Sequence, residues 1–168
     1  MFIQPSKLPA RALAGMAVAS FAAVGVALVA QHQFGVKPCP WCVLQRLIFL
    51  AIGTFSLLGW LVQARRSLRQ AALVVVLMLC AAGLTAAVFQ HEVASQTASC
   101  AMGLADKIIT ALNLEDLWPS VFMVTANCSE AAAYRFIGLP YEIWSGLLFV
   151  GLGGLGLLVL GKDRKSVV

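Results

Sequence analysis

Residues 37–62 read KPCPWCVLQRLIFLAIGTFSLLGWLV. Two cysteines stand three positions apart, and the twenty residues from Val43 to Val62 then carry one formal charge, Arg46, near their start. A helix needs ~17–25 mostly apolar residues to cross the hydrocarbon core of a bilayer. Three further segments have that length, residues 12–30, 71–89 and 143–160, and none of them contains a formal charge. In hydrocarbon the backbone must satisfy its own hydrogen bonds, so all four read as helices.

Composition agrees with this reading. The chain is 61% hydrophobic and 11% charged, with a mean hydropathy of +0.89, whereas soluble domains are about a quarter charged. The expected fold is an all-α membrane protein: one domain over residues 1–168, a four-transmembrane-helix bundle with two loops on one side, residues 31–42 and 90–142. No internal repeat or low-complexity linker divides it. The first run follows Lys7 and Arg11, as a signal peptide would. However, its 19 residues exceed the ~7–15 of a signal core, and no clean A-x-A site ends it.

Charge predicts the orientation. Lys7 and Arg11, then Arg65, Arg66 and Arg69, then Lys162, Arg164 and Lys165 fall on one side of four crossings and make up eight of the twelve basic residues. The positive-inside rule makes that side cytoplasmic, with both termini there. Six of the seven acids, Glu92, Asp106, Glu115, Asp116, Glu130 and Glu142, fall on the other side. The net +5 is thus a topology signal; no basic patch with interleaved aromatics points to nucleic acid.

In the long loop, Leu114, Leu117, Trp118, Val121 and Phe122 form one apolar helical stripe. Pro119 predicts that the helix is short or kinked. Such a helix suits either the membrane interface or a loop core packed on the bundle. In the fourth run, Gly151, Gly153, Gly154 and Gly156 lack four-residue spacing, yet their i, i+3 pairs permit close helix approach.

Of the five cysteines, Cys80 lies mid-span among Leu79, Ala81 and Ala82 and reads as a small buried hydrophobe. Cys39, Cys42, Cys100 and Cys128 all lie on the loop side. A bond between Cys39 and Cys42 closes so short a ring that it makes a poor staple, and strained, exposed disulfides are the labile ones. A bond between Cys100 and Cys128 would close 29 residues, for which chain entropy gives roughly 3.6 kcal/mol. Val43 after the motif excludes haem attachment, and no βαβ pattern supports a thioredoxin fold. A zinc site completed by Cys100, Cys128, His32 or His91 remains an alternative, although an oxidising compartment works against free thiolates.

The inventory suggests a dithiol/disulfide pair at a membrane surface with a second pair on the same side. No dinucleotide fingerprint offers an electron acceptor, so a lipid-soluble one is economical. Arg46 lies four residues after Cys42, hence on the same helix face about 6 Å further along the axis. A charged group in a span is a functional hypothesis by default. Here it suits a quinone carbonyl and the charge that develops on it; an interfacial lipid anchor is the alternative.

These features resemble the disulfide bond formation protein B (DsbB) family of bacterial inner-membrane quinone reductases. Four spans carry the resemblance, with Cys39-Pro-Trp-Cys42 ending the first loop, Arg46 four positions on, and a cysteine pair in the second loop. The piece VFMVTANCSE around Cys128 is also similar to the family's sequence at its last cysteine. The resemblance covers essentially the whole chain. It implies a thiol:quinone oxidoreductase that reoxidises a periplasmic DsbA-like, thioredoxin-fold dithiol oxidase and passes electrons to ubiquinone, with menaquinone as the alternative. That partner is strongly oxidising, at about −120 mV, so its acceptor must be stronger still. The implied relay has Cys100 attacked by the partner's thiolate, Cys128 exchanging with Cys39, and Cys42 donating into the quinone beside Arg46. His91, after the third span, is implied to tune the acceptor or the thiolate. The loops are implied to be periplasmic and no metal is required. The contrasting expectation is a non-enzymatic membrane scaffold whose loops are stapled by disulfides or zinc.

Overall fold

The computed structural model describes residues 7–96, 103–136 and 138–165. Cys100 lies outside the described residues. Four long helices dominate: α1 (Lys7–Phe34), α2 (Pro40–Leu61), α3 (Arg66–Glu92) and α8 (Tyr141–Lys165). All four are long and apolar enough to cross a membrane. Helices α1, α3 and α8 overrun their apolar cores, because polar residues at the ends continue the helix beyond the hydrocarbon. The protein is a multi-pass membrane protein.

Short connections make consecutive helices antiparallel neighbours. Helix α2 packs between α1 and α3, and α8 closes the ring against α3 and, less extensively, α1. Helix α2 is the most buried of the four, and its inward residues Leu44, Ile48, Phe49 and Ile52 build the main core with Met16, Val76 and Phe149. The outer surface is apolar, with Val18, Leu61, Met78, Val150, Leu157 and Leu158 exposed. A patch of that extent signals a non-aqueous surround.

The glycines of α8 divide by face. Gly153 and Gly156 meet α3 at Cys80 and Leu77, whereas Gly151 and Gly154 face open space. Close approach therefore runs along one i, i+3 pair. On α3 the reciprocal residue is Gly83, where an added Cβ would lie 2.4 Å from the Phe149 ring. That ring stacks on Phe49, with centroids 4.1 Å apart and planes 4° apart.

At the basic end, Asp163 of α8 gathers the start of α3. Its carboxylate accepts from Arg69 Nη2 at 2.5 Å and Gln70 Nε2 at 3.0 Å, and Arg66 donates to its backbone carbonyl. The one acid on that side is thus a buried counter-ion joining the third and fourth spans.

At the cysteine end, the second loop forms a cap. It comprises a 3₁₀ turn (Ala94–Gln96), α4 (Leu104–Ala111), α5 (Leu114–Leu117), α6 (Pro119–Phe122), α7 (Cys128–Ala132) and a two-residue pairing of β1 (Arg135–Phe136) with β2 (Leu139–Pro140). The expected stripe breaks at Trp118 (φ −149°, ψ 73°), just before Pro119 opens α6. Leu114, Val121 and Phe122 turn inward onto Val43 of α2, while Leu117 and Trp118 are exposed. One face packs on the bundle and the other presents an apolar rim suited to a membrane interface. Helix α4 was not evident from the sequence, although Ala105 and Ile109 share its buried face.

Replacing Gly83 with Ala forces the Phe149 ring off its stack. The expected loss is about 1–3 kcal/mol, the usual cost of overpacking a filled core, read as a lowered thermal unfolding midpoint in detergent. A second change, Phe149→Leu, should recover part of it.

Candidate functional site

The N-terminus of α2 sets out the first cysteine pair. Cys39 is its N-cap in extended conformation, Pro40 occupies the first helical turn, and the Cys39 sulfur accepts from the Cys42 backbone N–H at 3.4 Å. Proline suits that turn because its missing N–H would have no helical partner there. The capping contact leaves Cys39 Sγ and Cys42 Sγ 3.1 Å apart, longer than the ~2.05 Å of a bond. Both sulfurs are buried.

The second loop brings Cys128 to the same place. The Pro38 carbonyl accepts from the backbone N–H groups of Thr125 (3.1 Å) and Ala126 (3.2 Å). Lys37 Nζ pairs with Glu130 Oε1 at 2.9 Å. Asn127 caps α7 by accepting from the Glu130 N–H at 2.7 Å, which opens that helix at Cys128. The outcome is that Cys128 joins Cys39 and Cys42 in one buried cluster. Interaction with Cys128, then with Cys42, and burial push the Cys39 thiol up. Cys128 is held down, chiefly by its interaction with Cys39. A sulfur that favours the thiolate is the kind that attacks a neighbouring disulfide in thiol exchange.

Below the sulfurs lies a cavity of about 450 Å³ between α1, α2 and α8. Its walls are mainly apolar, including Val24, Ala27, Phe49 and Leu148, with Cys42, Gln45, Arg46, Tyr141 and Ser145 as polar groups. That volume and lining suit an aromatic head group held by a few polar contacts. Arg46 is 5% exposed. Its Nη1 donates to Gln31 Oε1 of α1 at 2.6 Å and to the Val121 carbonyl of α6 at 2.9 Å, while Nε is enclosed with no hydrogen-bond partner among the described residues. With its charge on the cavity wall, Arg46 fits a carbonyl oxygen supplied by a ligand.

Cys39, Cys42, Cys128 and Arg46 therefore converge. His91 does not line this cavity. It lines a smaller one of about 240 Å³ between α3 and α8, with Nδ1 3.3 Å from Glu142 Oε1. His32, close in sequence to the first loop, contacts the Ser120 carbonyl at 3.0 Å and helps to seat the cap. Among the described residues, no three His, Cys, Asp or Glu side chains form a metal-ligating group. Sequence reasoning missed Gln45, Gln90, Tyr141 and Ser145. The available signal was their polarity inside, or at the ends of, otherwise apolar runs.

In a variant carrying Cys42→Ser and Cys100→Ser, mild oxidation should join Cys39 to Cys128, linking the two loops. Peptide mass mapping reads the bond directly. Independent alkylation of the two cysteines would contradict the geometry.

Comparison with known proteins follows the same lines. Residues 9–159 match the family described as "Disulfide bond formation protein DsbB". A protein of Cupriavidus necator named "Disulfide bond formation protein B" is 36% identical over 131 residues, 77% of this chain and 79% of its own length. One of the same name from Dechloromonas aromatica is 32% identical, covering 95% of this chain and 98% of its own. A third, "Disulfide bond formation protein B 1" of Pseudomonas fluorescens, is 31% identical over 94% of this chain and 92% of its own. With the match spanning the bundle and both cysteine loops, the chain belongs to the DsbB family of disulfide bond formation proteins.

Proposed function

We propose that this chain is a thiol:quinone oxidoreductase that carries electrons from a reduced DsbA-like, thioredoxin-fold dithiol protein to ubiquinone or menaquinone. It would do so in a bacterial inner membrane, with the termini cytoplasmic and the cysteine loops periplasmic. One observation carries the reading. Cys39, Cys42 and Cys128 share one buried cluster, and of these three Cys42 lines the apolar cavity with Arg46.

The thiol chemistry balances as a series of exchanges. A partner thiolate attacks Cys100 of a Cys100–Cys128 disulfide, and Cys128 leaves as a thiolate. Cys128 attacks Cys39 of a Cys39–Cys42 disulfide, forming the bond between the loops and releasing Cys42 as a thiolate. The partner's second thiol displaces Cys100, and the partner departs as a disulfide. Cys100 then attacks Cys128, restoring their bond and leaving Cys39 and Cys42 reduced. Bound quinone supplies a two-electron, two-proton acceptor, after which the Cys39–Cys42 disulfide is restored. Arg46 orients an acceptor oxygen and offsets the negative charge that develops beside Cys42. The apolar walls exclude water from the sulfur.

Purified protein in detergent, mixed with a reduced thioredoxin-like dithiol protein and a soluble ubiquinone analogue, should show dithiol-dependent loss of quinone absorbance. No such loss would refute the proposal. Cys100→Ala should abolish turnover with the dithiol protein while quinone still oxidises the Cys39, Cys42 pair.

Arg46→Met should raise the KM for the quinone analogue about tenfold to a hundredfold, the worth of a hydrogen bond from a charged donor. An unchanged KM would remove Arg46 from the acceptor site.

A further inference from the structure

Cys42 touches a buried chain of polar side chains that the exchange steps above do not use. Gln90 Nε2 of α3 donates to Cys42 Sγ at 3.3 Å, and Gln90 Oε1 accepts from Gln45 Nε2 at 2.8 Å. Ser145 Oγ of α8 lies within hydrogen-bond reach of Gln45 Oε1 and 2.9 Å from the Glu142 carbonyl. The two amides are 1% and 3% exposed, so their hydrogen bonds depend chiefly on protein partners. From these contacts we propose that Gln90, Gln45 and Ser145 form a reversible hydrogen-bond ladder whose direction follows the protonation state of Cys42, making Gln90 and Ser145 positioning residues for the reactive sulfur.

The argument rests on what each group can donate or accept. A thiolate only accepts, whereas a thiol also donates weakly. A buried sulfur that alternates between the two needs a partner able to reverse, since an unmatched buried polar group is costly. In the direction that serves the thiolate, the Ser145 hydroxyl donates to Gln45, Gln45 donates to Gln90, and Gln90 donates to Cys42. Turning both amides by half a rotation exchanges their oxygen and nitrogen positions and leaves the heavy-atom sites filled. Cys42 S–H then donates to Gln90 Oε1, Gln90 to Gln45, and Gln45 to Ser145, whose hydrogen goes to the Glu142 carbonyl. Each of the three contacts from Cys42 to Ser145 is filled in both directions.

The terminus must be a hydroxyl, because only a group that both donates and accepts closes both arrangements. No proton passes along the amides; they rotate, and one hydroxyl hydrogen swings between two acceptors. A carboxylate at position 45 or 90 would lack the donor hydrogens and add a like charge beside the thiolate. The proposal deepens the reading of Cys42 as the donating sulfur, but its test requires neither quinone nor a dithiol protein.

The test is mass-resolved alkylation of Cys42 against pH in the reduced full-length chain in detergent. The other titratable groups around this sulfur, Cys39, Cys128, Arg46 and Tyr141, stay constant across the variants. Gln90→Leu should move the Cys42 midpoint upward by about one to two pH units, as removal of a hydrogen bond to a charged group implies. Ser145→Ala should move it the same way by less, and Ser145→Thr should return it to the wild-type position. Midpoints unmoved in both Gln90→Leu and Ser145→Ala would overturn the ladder. Should Gln90→Leu fail to fold, the Ser145 pair decides alone: indistinguishable Ala and Thr profiles also overturn it.

Discussion

A guanidinium held inside a bundle of apolar helices cannot be left to itself. Arginine at the centre of a span costs roughly 2.5–3.5 kcal/mol on the insertion scale, and partners must offset that. Arg46 finds them in Gln31 of α1 and the Val121 carbonyl of α6. Satisfying one side chain therefore brings together the first span, the second span and the cap. The cavity that holds Cys42 is bounded by two of those segments and closed by α8. Because Arg46 also lines that cavity, the clamp that shapes the cavity also places a positive charge on its wall.

The loop contacts can be ranked by magnitude. Lys37 and Glu130 are about half exposed, and such pairs contribute ~0–1 kcal/mol. The two backbone bonds onto the Pro38 carbonyl fix geometry more firmly, because they lack long side chains to immobilise. Pro38 is adjacent to Cys39, and Ala126 is two residues before Cys128. Main-chain pairing thus sets the distance between the exchanging sulfurs, and the ion pair trims it. Cys39 is also the N-cap of α2, so one residue ends a loop, begins a span and holds a place in the sulfur cluster.

The spans were legible because the bilayer imposes a length and a composition that no loop imitates. The motif was legible because Cys39, Cys42 and Arg46 fall within about two helical turns. The kink at Trp118 followed from Pro119, whose ring and missing N–H act locally. What escaped the sequence depends on contacts between distant segments. Gln45, Gln90 and Ser145 come from three helices, and nothing in any one run says that the others meet it. His91 shows the same limit: it is adjacent to Gln90, but one residue along a helix rotates the side chain by about 100°. Gln90 therefore reaches Cys42 while His91 lies in the groove with Glu142.

That rotation separates two kinds of polar chemistry at the cysteine end. Toward the cavity the polar groups beside Cys42 are the cation Arg46, the neutral amide of Gln45, a phenol and a hydroxyl, and none adds negative charge beside the sulfur. The buried carboxylate Glu142 pairs instead with His91 on the far side of α3 and α8. In a medium of low effective dielectric a carboxylate next to Cys42 would oppose its thiolate by several kcal/mol. Keeping acids out of the cavity therefore matters as much as placing Arg46 within it. Glutamine, despite its cost in an apolar interior, meets the need: it hydrogen-bonds in either sense and carries no charge.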